Sequence, residues 1–260
     1  MGKETLADQA KAIRSELNLV RTGNRTLAEP RPCEIIPGFT ANADGSALVS
    51  TGDTRVICTA FIEDKVPPFR RNSGQGWLTA EYGMLPGATN TRVQREVTQG
   101  KASGRTLEIQ RLIGRSLRGV TDLSAIGENT IWVDCDVIQA DGGTRTAAIT
   151  GAYVAVVLAL RKLGGRMKFK TPPISRQVAA VSVGLIEGEA ILDLDYSEDS
   201  RADVDLNVVF LDDKGLIEVQ GTAEGDPFDR SHLNQMLDLA EAGITQRLEV
   251  QMAALGGKLL

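Results

Sequence analysis

The feature that most constrains the fold is a nearly all-apolar segment from Ala147 to Leu160, which directly follows the glycine turn Asp141-Gly142-Gly143. A helix that is apolar all round has to be covered on every side by other elements, so this segment predicts a fully buried core helix. The chain has enough hydrophobic residues to pack around this helix, because 42% of its residues are hydrophobic and 24% are charged, as in ordinary soluble domains.

Several classes of protein are excluded early. No apolar run approaches the roughly 18 residues of a membrane-spanning helix, and the N-terminus has mixed charge instead of a secretory signal pattern. We therefore expect a cytoplasmic protein without a membrane partner. Cys33, Cys58 and Cys135 contain no CxxC pair, so we expect reduced core thiols instead of a disulfide framework or a zinc site.

The single histidine, His232, restricts the chemistry. A Ser-His-Asp or Cys-His mechanism would depend on it, and the sequence has no GxSxG motif to suggest one. We expect His232 on the surface, and we expect carboxylates, arginines and backbone amides, with or without a metal ion, to do the chemistry.

The charges are segregated along the chain, although the formal net charge is only -5. The segment from Arg55 to Arg118 has nine Arg and two Lys against five acidic residues, whereas Glu187 to Glu249 has 17 acidic residues against four basic ones. Such asymmetry permits an anionic ligand on one face. Solvated surface charge explains it equally well at this point.

The periodicity predicts an α+β fold. Residues 1–20 are expected to form a helical N-terminal extension, and residues 21–260 one domain of two pseudo-repeated halves, about 21–165 and 166–260. Each half reads as strands followed by helices. The predicted elements are a hairpin over 45–63, a helix after Gly104, a strand over 130–140 with Asp134 and Asp136 on one face, strands over 178–186, 190–194, 204–210 and 216–220, and a helix over about 229–252.

Two predicted helix starts share one pattern, Ser103-Gly104-Arg105-Thr106 and Gly143-Thr144-Arg145-Thr146. Glycine permits a tight turn, and the following amides lie at a helix N-terminus that favours an anion. The neighbouring arginine can bind a phosphate with two parallel hydrogen bonds. Two ordinary capped helices are the alternative, which a repeated motif makes less attractive.

An acidic group follows in the second half, where Asp203 and Asp205 are two residues apart in a predicted strand and therefore share a face. Asp199 lies one turn or loop earlier. Carboxylates grouped in this way can bind a divalent ion or act as a general acid or base. A solvated acidic turn is the alternative.

Long motifs occur in order along the chain from about Arg25 to Ala240. They are Gly52-Asp53-Thr54, Val66-Pro67-Pro68-Phe69, residues 76–82 (GWLTAEY), residues 104–111 (GRTLEIQR), residues 134–146 (DCDVIQADGGTRT) and Glu198-Asp199-Ser200. Taken together, these motifs resemble the ribonuclease PH family of phosphorolytic exoribonucleases. The resemblance implies a duplicated βαβα fold, a homo-hexameric ring built as a trimer of dimers, and inorganic phosphate as the nucleophile.

By position, the resemblance implies phosphate binding by Gly143, Thr144 and Arg145, with Arg105 as a second active-site arginine. Asp199 and Asp205 match the family's acidic pair, which implies catalysis and Mg²⁺ binding. Further, Arg92 and Arg95 match a loop that holds tRNA.

The implied activity is phosphate-dependent 3′-to-5′ trimming of tRNA precursors and of other structured RNA with 3′ overhangs, as well as rRNA processing. Nucleoside diphosphates would be released, and the reaction would be reversible as nucleotidyl transfer. A non-catalytic RNA-binding ring subunit and a hydrolytic nuclease are the rival interpretations. The retained arginines and carboxylates argue against the first, and a dedicated phosphate site argues against the second.

The chain departs from the family pattern at three places. It has Arg21-Thr22-Gly23-Asn24-Arg25 where the family usually has Arg-x-Asp-Gly-Arg. In addition, Gly87 replaces an arginine found in many members, and Asp203 replaces the usual glutamate. None of these positions lies in the predicted phosphate segment.

Overall fold

A computed structural model describes residues 21–260, so the helix predicted for residues 1–20 lies outside the described residues. The first part of the described chain forms a five-stranded sheet in the order β1-β2-β3-β5-β4. Its elements are β1 (Cys33–Pro37), β2 (Gly45–Thr51), β3 (Thr54–Glu63), β4 (Trp77–Met84), α1 (Gly104–Arg118), β5 (Thr130–Gln139) and α2 (Thr144–Gly164).

The second part forms a four-stranded antiparallel sheet in the order β7-β6-β8-β9. Its elements are β6 (Val178–Ile186), β7 (Glu189–Leu192), α3 (Tyr196–Asp199), β8 (Val204–Leu211), β9 (Leu216–Ala223) and α4 (Arg230–Ala254). The predicted α+β class with its duplicated architecture is confirmed. The division into halves near residue 165 stays a prediction.

The predicted hairpin is present as β2 and β3, which pair antiparallel up to Thr51 and Thr54 across a turn at Gly52. Gly52 has a φ of 54°, a left-handed conformation that glycine adopts at little cost. Asp134 and Asp136 share the outer face of β5, as predicted, while the intervening Cys135 is buried. The sequence analysis missed two strands, β1 and the edge strand β4 that pairs parallel with β5.

Helix α2 is the core of the molecule. Its 21 residues reach a mean hydropathy of 1.5 over an 18-residue window, so the whole helix is long and apolar enough to cross a membrane, contrary to our expectation. However, 78% of that window is buried inside the protein, where α2 contacts β2, β3 and β6. The contact with the first sheet is close, because a Cβ at Gly151 would lie 2.6 Å from Val49 Cγ1. Its apolar sequence is therefore explained by packing between two sheets.

The remaining sequence predictions concern side chains of the core and the surface. Cys58 and Cys135 are free buried thiols beneath α2, and Cys33 is a free thiol that is partly exposed. The side chain of His232 is 33% exposed near the start of α4, where its backbone N–H donates to Asp229. This agrees with the expected surface position of His232.

The two parts of the chain meet tightly at Gly142, which has a φ of 73°. A Cβ at this position would lie 2.6 Å from the carbonyl oxygen of Leu194 and 2.9 Å from the amide nitrogen of Tyr196. The turn before α2 therefore lies directly against the segment that leads into α3. The local close approach requires glycine.

Candidate active site

A cavity of about 520 Å³ opens where the first turn of α2 faces α3 and β8. It is formed by both sheets and by the loop after β4. Its polar lining comprises Thr89, Asn90, Thr91, Arg92, Arg105, Thr144, Arg145, Ser182, Tyr196, Asp199, Asp205 and Asn207, with Gly142 and Gly143 at the turn. A larger cavity of about 780 Å³ lies near residues 22–33 and contains none of the predicted site residues.

The two predicted arginine-bearing helix starts differ in the structure. At α1, the Ser103 hydroxyl accepts a hydrogen bond from the Thr106 N–H at 3.1 Å, so this start is an ordinary capped helix. At α2, the residue before the helix is Gly143 in a left-handed conformation, and among the described residues no side chain caps this start. The first amides of α2 therefore remain available to an anion in the cavity.

Thr144 is positioned by a hydrogen bond from a residue of β4. Its hydroxyl oxygen accepts a hydrogen bond from the Tyr82 hydroxyl at 2.8 Å, and both residues are buried. Burial raises the pKa of Tyr82, so its phenol stays protonated and keeps donating at neutral pH. Because the Thr144 oxygen acts as the acceptor in this contact, its own proton remains available for donation to another group.

The arginines surround the cavity unevenly. The Arg145 side chain is 13% exposed, and its Nη1 donates to Gln220 at 3.1 Å and lies 3.9 Å from Glu108. In contrast, Arg105 is exposed at the start of α1, and it and Arg92 line the cavity. Arg95 is exposed and does not line it.

The two predicted carboxylates face these arginines across the cavity. Asp199 is the last residue of α3, and Asp205 is on β8. Desolvation by the surrounding protein raises the pKa of the Asp199 carboxyl, although the charges of Arg105 and Arg145 oppose this. Burial also raises the pKa of Asp205, and the negative charge of Asp199 raises it further.

Asp203 and Asp205 share a face, as predicted, because burial alternates from Ala202 to Leu206 and leaves both aspartates less buried than their neighbours. Asp203 directly precedes β8, where its carboxylate accepts a hydrogen bond from the Glu187 N–H at 3.0 Å. Asp203 thus stabilises a turn and does not line the cavity.

Asn207 and Ser182 are among the cavity residues that the sequence analysis missed. The Asn207 side-chain amide lies 3.2 and 3.4 Å from the two carboxylate oxygens of Asp205, and it could have been found because it is two residues further along the same strand. Ser182 is paired with Asn207 in the neighbouring strand β6, and its buried hydroxyl has no hydrogen-bond partner within the described part of the chain. Its position depends on strand pairing, which no local signal revealed.

Comparison with protein families identifies the class of protein to which this fold and this cavity belong. The chain belongs to the 3′ exoribonuclease family, whose domain 1 matches residues 29–162 and whose domain 2 matches residues 176–243. The ribonuclease PH of Syntrophomonas wolfei subsp. wolfei is 56% identical over 236 residues, which are 91% of this chain and 99% of that relative. The predicted phosphate-dependent 3′-to-5′ exoribonuclease activity is thereby confirmed, with inorganic phosphate as co-substrate.

Solved structures with low sequence identity share the fold. Rice (Oryza sativa) Rrp46 has a TM-score of 0.73 at 18% identity, and the match covers 90% of this chain and 100% of that chain. A chain of the Archaeoglobus fulgidus exosome with RNA bound to the active site has a TM-score of 0.75 at 21% identity, covering 94% of this chain and 98% of that chain. At this identity, the likeness concerns the fold alone.

Proposed function

We propose that the cavity at the start of α2 is the site of phosphorolysis and that it shortens the 3′ ends of tRNA precursors. One observation carries this proposal, namely that uncapped helix amides and two arginines face two carboxylates across a single cavity. The cationic side suits a phosphate nucleophile and a scissile phosphate, and the acidic side suits proton transfer.

In the proposed reaction, Gly143, Thr144 and Arg145 hold inorganic phosphate. One of its oxygens attacks the phosphorus of the last phosphodiester in line, and Arg105 neutralises charge on that phosphorus group. The bond from phosphorus to the 3′ oxygen of the penultimate nucleotide breaks. The terminal residue leaves as a nucleoside diphosphate, and the shortened RNA keeps a free 3′ hydroxyl.

Asp199 is proposed to donate a proton to that departing 3′ oxygen. A general acid has to retain its proton near the working pH, and desolvation raises the pKa of Asp199 in this direction. The proton is returned in the reverse reaction, nucleotidyl transfer from a nucleoside diphosphate. Asp205, with Asn207 at its carboxylate, would influence Asp199 through its charge.

The same two carboxylates are the proposed ligands of Mg²⁺, Asp205 throughout and Asp199 once it has given up its proton. Mg²⁺ is usually bound through one or two carboxylates and substrate phosphates, so a pair is enough. The donor set fits, because the charge of Asp199 raises the pKa of Asp205, and a divalent cation would relieve this repulsion. The bound ion would supply charge neutralisation for the phosphates.

RNA binding is proposed to involve Arg92 at the cavity and Arg95 further along the same loop. The overall charge of -5 is unfavourable for RNA binding, so the affinity for RNA has to come from local basic groups and from several copies of the chain. We propose a homo-hexameric, cytoplasmic enzyme that also accepts other structured RNA with 3′ overhangs, including rRNA.

Product analysis on a 3′-extended tRNA tests this function. With phosphate present, we expect stepwise shortening and nucleoside diphosphates, and without phosphate we expect no shortening. Nucleoside monophosphates formed at a similar rate in phosphate-free buffer would contradict phosphorolysis in this cavity. A matched RNA with a fully paired 3′ end should be a poor substrate, because its last nucleotide would have to be unpaired before entering the cavity.

A further inference from the structure

Arg21 does not line the cavity, but its buried side chain contacts one carboxylate and several backbone carbonyls. Its side chain is 1% exposed, and it forms a two-pronged ion pair with Glu198, whose side chain is 2% exposed. The two hydrogen bonds run from Nε to Oε1 at 2.7 Å and from Nη2 to Oε2 at 3.0 Å. Arg25 Nη2 donates a further hydrogen bond to Glu198 Oε2 at 3.3 Å, so within the described residues Arg21 supplies two of the three hydrogen bonds that this carboxylate accepts from arginines.

The other donors of Arg21 bind backbone carbonyls on two separate segments. Nη2 donates to Leu192 at 2.7 Å at the end of β7, and Nη1 donates to Thr26 at 2.8 Å and Glu29 at 3.0 Å. One guanidinium therefore joins the N-terminal segment, β7 and α3. A lysine has the same charge but lacks the planar fork, so it cannot satisfy these partners together.

Glu198 is in turn part of the short helix α3, immediately before Asp199. Its Oε2 accepts the Asp195 N–H at 3.0 Å, while the Asp195 carboxylate accepts the Glu198 N–H at 3.0 Å. This reciprocal pair is a capping box, which satisfies two backbone donors at once. Because α3 contains only Tyr196–Asp199, a single turn, it depends on such external contacts for its stability.

We propose that Arg21 and Glu198 are positioning residues for the chemical step, because together they hold α3 in the place from which Asp199 faces the cavity. This inference rests on the acid role proposed for Asp199. Neither side chain lines the cavity, so their effect would be transmitted through the backbone of α3. Displacing a catalytic group by about 1 Å can cost on the order of 10²-fold in rate.

The first test measures steady-state phosphorolysis of a 3′-extended tRNA by Arg21→Lys at varied phosphate concentration. We expect kcat to fall at least about 10-fold, while KM for phosphate changes less than about twofold, since the phosphate segment is untouched. An unchanged kcat, or a rise in KM that accounts for the whole loss, would overturn the inference.

Arg161→Lys is the matched control. Arg161 also uses its fork to bind backbone carbonyls, those of Leu255, Lys258 and Leu259, at the opposite end of α2 from the site. This control should lose stability without losing kcat. If Arg21→Lys does not assemble, Glu198→Gln replaces it, because glutamine keeps the length and one acceptor oxygen but removes the charge that pairs with Arg21.

A double-mutant cycle with Asp199→Asn separates this inference from the proposed acid role. If Arg21 acts through Asp199, Arg21→Lys should add little to the loss already caused by Asp199→Asn. Fully additive losses would refute positioning and leave the acid role intact. Normal turnover of Asp199→Asn alone would instead refute the acid role, and the positioning inference with it.

Discussion

The close contact at Gly142 leads to a quantitative prediction for Gly142→Ala. The added Cβ would lie 2.6 Å from the Leu194 carbonyl oxygen, and ordinary contact needs about 3.5 Å, so the α2 turn and the α3 segment must separate by about 1 Å. A left-handed φ of 73° adds about 1–2 kcal/mol of strain for alanine. Since the two separated segments carry Arg145 and Asp199, we expect kcat to fall by roughly 10²-fold.

The control for this prediction is Gly188→Ala. Gly188 has a φ of 84°, but no atom lies within 4 Å of a Cβ built on it. It therefore carries the backbone strain without the steric separation. The assay is single-turnover phosphorolysis at saturating phosphate, with thermal unfolding measured for both variants. If both variants lose the same stability and have the same kcat, the spacing across Gly142 does not set the rate, and the reasoning is refuted.

Three further predictions concern phosphate, pH and assembly. Arg145→Lys should raise KM for phosphate about 10-fold with little change in kcat, because a two-pronged contact is lost. If initial-rate measurements show an unchanged dependence on phosphate, Arg145 does not bind the nucleophilic phosphate. At a pH above neutral, the Asp205→Asn variant should have a higher melting temperature than the original protein, since a carboxyl whose pKa is raised by folding destabilises the fold when ionised. The gain should vanish as the pH falls below the unfolded value of about 4, and a gain that persists there would contradict this cause. Light scattering should give a mass near six chains, and a fully active monomer would contradict the hexamer.

The sequence predicted the fold class because its periodic segments are long and its core helix is unambiguous. The strands β1 and β4 were missed for physical reasons: β1 is a short edge strand ending at Pro37, and β4 gains its place by parallel pairing with the distant strand β5. Pairing between segments far apart in the chain leaves no local signal.

The candidate site was only partly predictable. The long motifs around Arg105, Thr144 and Asp199 drew attention to residues that line one cavity. Asp203 shares a face with Asp205 but does not line the cavity, because its carboxylate binds the Glu187 N–H, a contact that depends on strand pairing. The ion pair of Arg21 with Glu198 joins residues 177 positions apart, so only the folded chain could reveal it.

Helix α2 spans the interior between the two sheets, and its first turn lines the cavity. The backbone amides of the later turns of α2 are hydrogen-bonded within the buried helix, so they should exchange hydrogen with solvent as slowly as the most protected strands. The amides of the first turn have no intrahelical acceptor and should gain protection when phosphate binds. Local opening of the phosphate segment, of the kind that many enzymes use as a lid, is disfavoured by this arrangement. Heat inactivation and global unfolding should consequently have one common midpoint.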